Sequence, residues 1–259
     1  MKIARTLFFY VVLIFSIIFL GLICMASAFI NPAWPHRIAG FWGRLNIWAA
    51  GVKVRVDGAE NLDPAQPYVF AANHQGWFDI FAILGYLPVP FSWLAKEELF
   101  KIPILGRAMK ASGYISIDRG DRRKALASMT EAAVKIKNGT SVFIFPEGTR
   151  SADGLVRGFK KGGFILGIKS QQPIVPVSIS GSYLILPKTS LVINPGGRIH
   201  ITIGKPIATD GMDMKSRDPL LARVRQAILE HLTPQEAGPP DKADPKAAYS
   251  TGGINPQNV

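Results

Sequence analysis

The sequence predicts an α/β fold: a single domain with a mostly buried mixed sheet flanked by helices, preceded by an N-terminal hydrophobic helical segment that anchors it to a membrane. Three observations predict it. Residues 7–30 run for about 24 positions without a charge, long enough as a helix to cross a ~30 Å hydrocarbon layer. From Val52 onward, short apolar runs alternate with helical patterns, as in an α/β layer. Several of those runs are apolar at every position, which suits strands covered on both faces.

The anchor occupies residues 1–50. After the first apolar run, Asn31-Pro32 and Pro35 break the chain, and an amphipathic helix over 38–50 places Phe41, Trp42, Leu45, Trp48 and Ala49 at helical spacing. Lys2 and Arg5 precede the apolar run, while His36, Arg37, Arg44, Lys53 and Arg55 follow it. A simple span would put one basic flank on the wrong side, which favours a helical hairpin or an in-plane anchor. One ordinary span followed by a core helix is the alternative. A cleaved signal peptide ending at Ala26-Ser27-Ala28 fits less well, because the apolar stretch exceeds the usual length.

The folded domain spans residues 51–233. Its strands are expected at 52–56, 68–72, 91–95, 114–117, 141–145, 174–179 and 198–203. An apolar helix should follow Asp79. The clearest helix starts at Gly120-Asp121 and stops at Asn138-Gly139, with Leu126, Met129, Ala133 and Ile136 along one face. Another follows Phe159, and residues 216–232 close the domain. Residues 234–259, rich in Pro, Gly and Ala without an apolar period, are expected to form a disordered tail.

Composition narrows the chemistry. Thirty Lys and Arg against 18 Asp and Glu give a net charge of +12, which calls for an anionic partner. Charge also suits nucleic acid, but no reading module accompanies it, so no nucleic-acid partner is expected. The single cysteine, Cys24, excludes an intrachain disulfide framework and lies in an apolar run, a poor setting for a thiol nucleophile. His36, His74, His200 and His231 are scattered and no paired cysteines exist, so no metal site is expected. A Walker loop, a dinucleotide glycine loop and a G-x-S-x-G elbow are all absent from the sequence.

The segment Asn73-His74-Gln75-Gly76-Trp77-Phe78-Asp79 follows an expected buried strand and precedes an apolar helix. Open α/β sheets place ligands at the carboxyl ends of their strands, and His74 sits at such an end. If the chain turns into a helix there, Asp79 comes back toward the imidazole. It would hold one ring nitrogen and leave the other free to deprotonate a hydroxyl, the base and orienter of a triad whose nucleophile is the substrate. Phe145-Pro146-Glu147-Gly148-Thr149-Arg150-Ser151 leaves another apolar strand in the same way. Arg150 there can grip a phosphate in a fork that lysine cannot copy, and Glu147 can bond a polyol or hold Arg150.

With these residues the sequence resembles the glycerolipid acyltransferases typified by 1-acylglycerol-3-phosphate acyltransferase. Four blocks within 52–205 carry the resemblance, in the family's order: Asn73-His74 to Asp79; Gly113-Tyr114-Ile115-Ser116-Ile117-Asp118-Arg119; Phe145 to Ser151; and Ile174-Val175-Pro176-Val177. The resemblance implies that His74 and Asp79 are catalytic. It also implies that Arg119, Glu147, Gly148, Thr149 and Arg150 bind the phosphorylated acceptor, and that the proline block lies near the acyl site. Lys96 and the Phe159-Lys160-Lys161-Gly162 segment look like family positions too, Lys96 as a phosphate contact. Gly76 departs from the pattern, since many members have serine there.

The activity implied is transfer of a fatty acyl group from acyl-CoA or acyl carrier protein to the 2-hydroxyl of 1-acylglycerol 3-phosphate, giving phosphatidic acid in phospholipid biosynthesis. No cofactor is expected beyond that acyl-donor substrate. The partners implied are a lysophospholipid acceptor, the donor and membrane lipids, with the catalytic domain on the cytoplasmic face of the inner or plasma membrane. The basic cluster Arg119, Arg122, Arg123 and Lys124 could meet lipid headgroups or an acidic carrier protein. Another lysolipid acceptor, or a non-catalytic membrane-anchored protein that holds lipid phosphates without using His74, are the alternatives.

Overall fold

A computed structural model describes residues 2–238. In chain order it contains helices α1 (Lys2–Ser27) and α2 (Trp34–Ala50), strands β1 (Lys53–Asp57) and β2 (Val69–Ala72), helix α3 (Phe78–Tyr86) and strand β3 (Ser92–Lys96). Next come α4 (Glu97–Phe100), α5 (Leu105–Ala111), β4 (Ile115–Ile117), α6 (Arg122–Lys137), β5 (Val142–Ile144) and α7 (Phe164–Ser170). The chain continues through β6 (Ile174–Ser180), α8 (Ser182–Ile185), β7 (Arg198–Ile203), α9 (Arg217–Leu229) and α10 (Pro234–Ala237).

All seven expected strands join one sheet in the order β1-β7-β6-β2-β5-β3-β4. The sheet is mixed: β6 and β7 pair antiparallel and every other neighbouring pair is parallel. The alternation of a strand splits its apolar residues between two cores. From β2, Phe70 and Ala72 enter the core beneath α2 and α3, while Val69 and Ala71 enter the one beneath α6, α7 and α9. Pro176 is tolerated in β6 because the pairing with β7 begins one residue later, at Val177.

The N-terminal helices differ from a separate anchor. Phe9 of α1 is 1% exposed and packs on Phe78 and Phe81 of α3, with ring centroids 5.5 and 6.0 Å apart. Trp42 of α2 packs on Phe81 and donates its indole N–H to Ser16 Oγ at 3.0 Å. The expected boundary at residue 50 is therefore no boundary in packing; α1 and α2 complete a core that the sheet shares. α2 also starts earlier than expected, at Trp34, because Pro35 sits in the first turn, where its missing N–H costs nothing.

The expected tail is also corrected at its start. Thr233 and Glu236 form a capping box over α10, and the Glu236 carboxylate accepts from Ser180 Oγ and the Gly181 N–H, both at 2.8 Å. The rest of the expected tail, 239–259, lies outside the described residues.

If α1 is part of the core, Phe9→Ala should cost about 3 kcal/mol of stability by denaturant titration in detergent micelles. A loss under ~0.5 kcal/mol would mean that α1 is merely tethered.

Candidate active site

Strands β2, β5, β3 and β4 are neighbours and run parallel, so the loops leaving their carboxyl ends converge at one edge of the sheet. That edge receives His74 from β2, Glu147 to Arg150 from β5, Lys96 from β3 and Arg119 from β4. The topology thus gathers segments that lie up to about 75 residues apart in sequence.

Asn73 fixes the exit from β2. It is fully buried and its side chain exchanges two hydrogen bonds with the Ile179 backbone of β6, at 2.7 and 2.8 Å. The next residue is thereby held clear of the sheet. Asp79, in the first turn of α3, turns back as expected: His74 Nδ1 lies 2.8 Å from Asp79 Oδ2, which also accepts the Gln75 N–H at 2.7 Å and the Gly76 N–H at 2.9 Å. Three partners converge on one oxygen of a fully buried carboxylate, two of them obligate donors. With two amides already donating to it, Oδ2 acts as an acceptor for the imidazole as well, which makes Nδ1 the proton-bearing nitrogen. Nε2 is then the ring nitrogen left for chemistry. The imidazole lies flat on Phe145, centroids 3.9 Å apart and planes 12° from parallel, so packing fixes its second degree of freedom.

Glu147 does not play the expected part. Its side chain turns away from the cavity and bridges two loops. One oxygen accepts the His74 N–H at 2.7 Å and the other accepts the Arg157 N–H at 2.9 Å. The Ser151 N–H in turn donates to the His74 carbonyl at 2.9 Å. Glu147 is therefore a positioning residue for His74. Burial pushes its carboxyl up to about 7, against the two backbone hydrogen bonds that favour the ionised form.

The remaining cations face the mouth. Arg150 lays its guanidinium 3.8 Å from the Trp77 ring centroid, and its Nη1 is buried with no hydrogen-bond partner among the described residues. A buried charged donor without a partner is costly, so Nη1 is poised for an anionic oxygen. Arg119 donates to the Gly148 carbonyl, which pins the Gly148 turn to the end of β4. Burial lowers the pKa of both guanidiniums from the ordinary value. Gly148 has φ +78°, and a Cβ there would come within 3.0 Å of Lys160 Cε, so the turn needs glycine. Lys96 reaches the same space but is half exposed and paired with Glu98 at 2.8 Å. Lys161 instead pairs with Asp218 at 2.7 Å.

Gly76, where the family pattern often has serine, has a local reason. An added Cβ would lie 2.8 Å from the Ser182 carbonyl oxygen, since Gly76 bridges to Pro187 on the following loop. The proline block is corrected as well: residues 174–177 do not line the cavity but belong to β6, which braces β2 and ends in the Asn73 clamp.

A cavity of about 480 Å³ joins these parts. His74, Lys96, Arg119, Gly148, Thr149 and Arg150 line its polar end. Its apolar walls come from α1 (Ile17, Leu20), α2 (Ile38, Trp42), α3 (Ile80, Leu84) and α5 (Leu105, Met109). The sequence reading missed this apolar half, and also Asn73, Trp77 and Phe145 as supports. Their only sequence signal is adjacency to the His74 and Arg150 blocks.

Residues 53–180 match the Acyltransferase family model and contain all four blocks. The chain is 37% identical over 173 residues to a chloroplastic 1-acyl-sn-glycerol-3-phosphate acyltransferase of Arabidopsis thaliana, covering 66% of this chain and 48% of that protein. It is 31% identical over 209 residues to a 1-acyl-sn-glycerol-3-phosphate acyltransferase of Limnanthes douglasii, covering 77% and 73%. The crystal structure of the 1-acyl-sn-glycerophosphate (LPA) acyltransferase PlsC from Thermotoga maritima superposes with a TM-score of 0.77 at 29% identity, covering 88% of this chain and 92% of that one. The chain spans about half the length of the Arabidopsis relative.

Glu147→Gln leaves one oxygen for two amide donors, so one N–H loses its partner and His74 is held less firmly. Turnover should fall more than about tenfold with KM nearly unchanged. In the wild type the folded carboxyl titrates near 7 against an ordinary 4.5, so the native state holds more protons between those values. Stability contributed by protonated Glu147 is thus full below the lower value and lost as pH rises through the upper one. Thermal unfolding across that window should show this slope in the wild type and not in Glu147→Gln; equal slopes would contradict it.

Proposed function

The chain belongs to the acyltransferase family that includes the 1-acyl-sn-glycerol-3-phosphate acyltransferases, and from that premise we propose that it acylates the 2-hydroxyl of 1-acylglycerol 3-phosphate to give phosphatidic acid. The observation that carries the proposal is one cavity lined by the free face of a His–Asp pair, by two guanidiniums and by the apolar sides of four helices. Base, anion grip and hydrocarbon channel are the three things that this reaction needs in one place.

His74 Nε2 takes the proton from the acceptor hydroxyl while Asp79 holds Nδ1–H and balances the imidazolium that forms. The oxygen attacks the thioester carbonyl of acyl-CoA or acyl carrier protein, forming the C–O bond and a tetrahedral oxyanion. Collapse breaks the C–S bond, and the departing thiolate recovers the proton from the imidazolium. Arg150, with its unpartnered Nη1, and Arg119 hold the acceptor phosphate, and Lys96 adds a further cation at the rim. The acyl chain lies along the apolar walls.

Membrane association follows from α1. Helix α1 buries Thr6, Phe9, Ser16, Gly21, Cys24 and Ser27 against the domain, one stripe along its length of about 39 Å. Its opposite face, from Ile3 through Phe15 and Phe19 to Ile23, is exposed and wholly apolar. A helix held lengthwise on the domain cannot stand across a bilayer without drawing the domain in, which supports an in-plane anchor over a span. The cytoplasmic face of the inner or plasma membrane is the proposed location.

Thiol release from acyl-CoA in the presence of lysophosphatidic acid tests the reading. His74→Ala should lose at least about 10²-fold in turnover, and equal rates would refute the base. In the same assay Arg150→Ala should impair phosphorylated acceptors more than monoacylglycerol; a uniform loss would refute the phosphate grip.

A further inference from the structure

We propose that residues 183–192, the end of α8 and the loop after it, are a second membrane-inserting element, dipping Leu184, Leu191 and Val192 into an anionic bilayer beside α1. The inference rests on the in-plane reading of α1 and extends it to a segment distant in sequence. Beyond α2, Leu184 and Leu191 are the two most exposed large apolar side chains among the described residues, at 71% and 76%. Val192 follows at 46%. Single exposed aliphatic side chains are ordinary on a protein surface, but three within nine residues are not.

The loop is fixed rather than loose. Ile185 and Ile193 are fully buried and anchor it to the core. Tyr10 Oη of α1 donates to the Leu191 carbonyl at 3.0 Å, the Ile193 N–H donates to Thr6 Oγ1 at 3.1 Å, and Lys2 Nζ donates to Asn194 Oδ1 at 2.9 Å. Within the loop, Asn194 Nδ2 donates to the Leu184 carbonyl at 2.8 Å. At 100° per residue, Tyr10 lies beside one edge of the exposed face of α1, while Ser16, which meets Trp42, lies beside the other. The free apolar face of α1 is therefore flanked by α2 on one side and by this loop on the other.

Charge selects the occupant. Lys2 at the start of α1 reaches Asn194 just past the loop, Arg5 nearby donates to the Trp48 carbonyl of α2, and Lys188 stands within the loop. Cations bordering an apolar patch suit an interface with anionic headgroups better than a protein core. Lys188 also ties the loop to the reaction: its Nζ reaches Thr149 Oγ1 at 3.4 Å, and Pro187 pairs with Gly76 beside His74. An element that touches the bilayer thus also borders the proposed phosphate site.

The test is binding to phosphatidylethanolamine–phosphatidylglycerol vesicles by co-sedimentation, with turnover on a short-chain acceptor in detergent micelles as the fold control. The pair Leu184→Glu/Leu191→Glu should weaken vesicle binding more than about tenfold and leave micellar turnover within about twofold. An environment-sensitive dye on Leu191→Cys should shift to the blue on adding vesicles. A companion pair, Phe15→Glu/Phe19→Glu, probes α1 alone. If the α1 pair weakens binding and the loop pair does not, the loop proposal falls and the in-plane anchor stands. If neither weakens it, both fall.

Discussion

One carboxylate oxygen organises this molecule's chemistry. Asp79 Oδ2 gathers His74 Nδ1 and the Gln75 and Gly76 amides into a single turn, at 2.7–2.9 Å, inside a site with no solvent exposure at Asp79. Two backbone donors hold Oδ2 as an acceptor, and an acceptor there in turn dictates which imidazole nitrogen carries the proton. The tautomer that leaves Nε2 basic is a consequence of backbone geometry, and the backbone geometry is a consequence of α3 starting where it does.

The surrounding structure protects that turn from several directions. Asn73 locks its start to β6, Glu147 holds the His74 amide from the β5 side, and Phe145 lies against the ring. Arg157 and the α10 segment extend the brace: Glu147 accepts the Arg157 N–H, and Val156 donates its N–H to the Glu236 carbonyl at 2.9 Å. The same edge of the sheet carries the guanidiniums, because β2, β5, β3 and β4 are parallel neighbours whose carboxyl ends coincide. Helices α1 and α2 then roof the site with hydrocarbon. The exposed apolar surface of α1 and the wall that lines the cavity are opposite faces of the same helix.

Much of this was legible in the sequence, for identifiable reasons. The seven strands were legible to within about two residues: the central ones as apolar runs, because strands buried on both faces have no room for polar alternation, and β1 and β7 as apolar–polar alternation. The His74–Asp79 pair was legible because five residues across a strand-to-helix turn return a side chain to its start. What stayed hidden depended on tertiary direction. A carboxylate in a Gly-containing turn reads as ligand-facing, yet Glu147 points inward, and nothing in the order Phe145 to Ser151 distinguishes the two. Helices α4 and α5 are short, interrupted by Pro103 and Gly106, and α5 owes its place to packing against α1. The proline block resembled a substrate wall but serves as a sheet strand. Glu236, in a stretch without apolar period, is ordered by the capping box and by polar contacts with β6.

The central claim is that Asp79 fixes the imidazole with its proton on Nδ1, and ¹⁵N NMR of histidine-labelled protein in micelles tests it most directly. The His74 signals, assigned by comparison with His74→Gln, should show a protonated Nδ1 and an unprotonated Nε2 in the neutral ring, and Asp79→Asn should abolish that preference. A neutral ring with its proton on Nε2, or one indifferent to Asp79→Asn, would contradict the account.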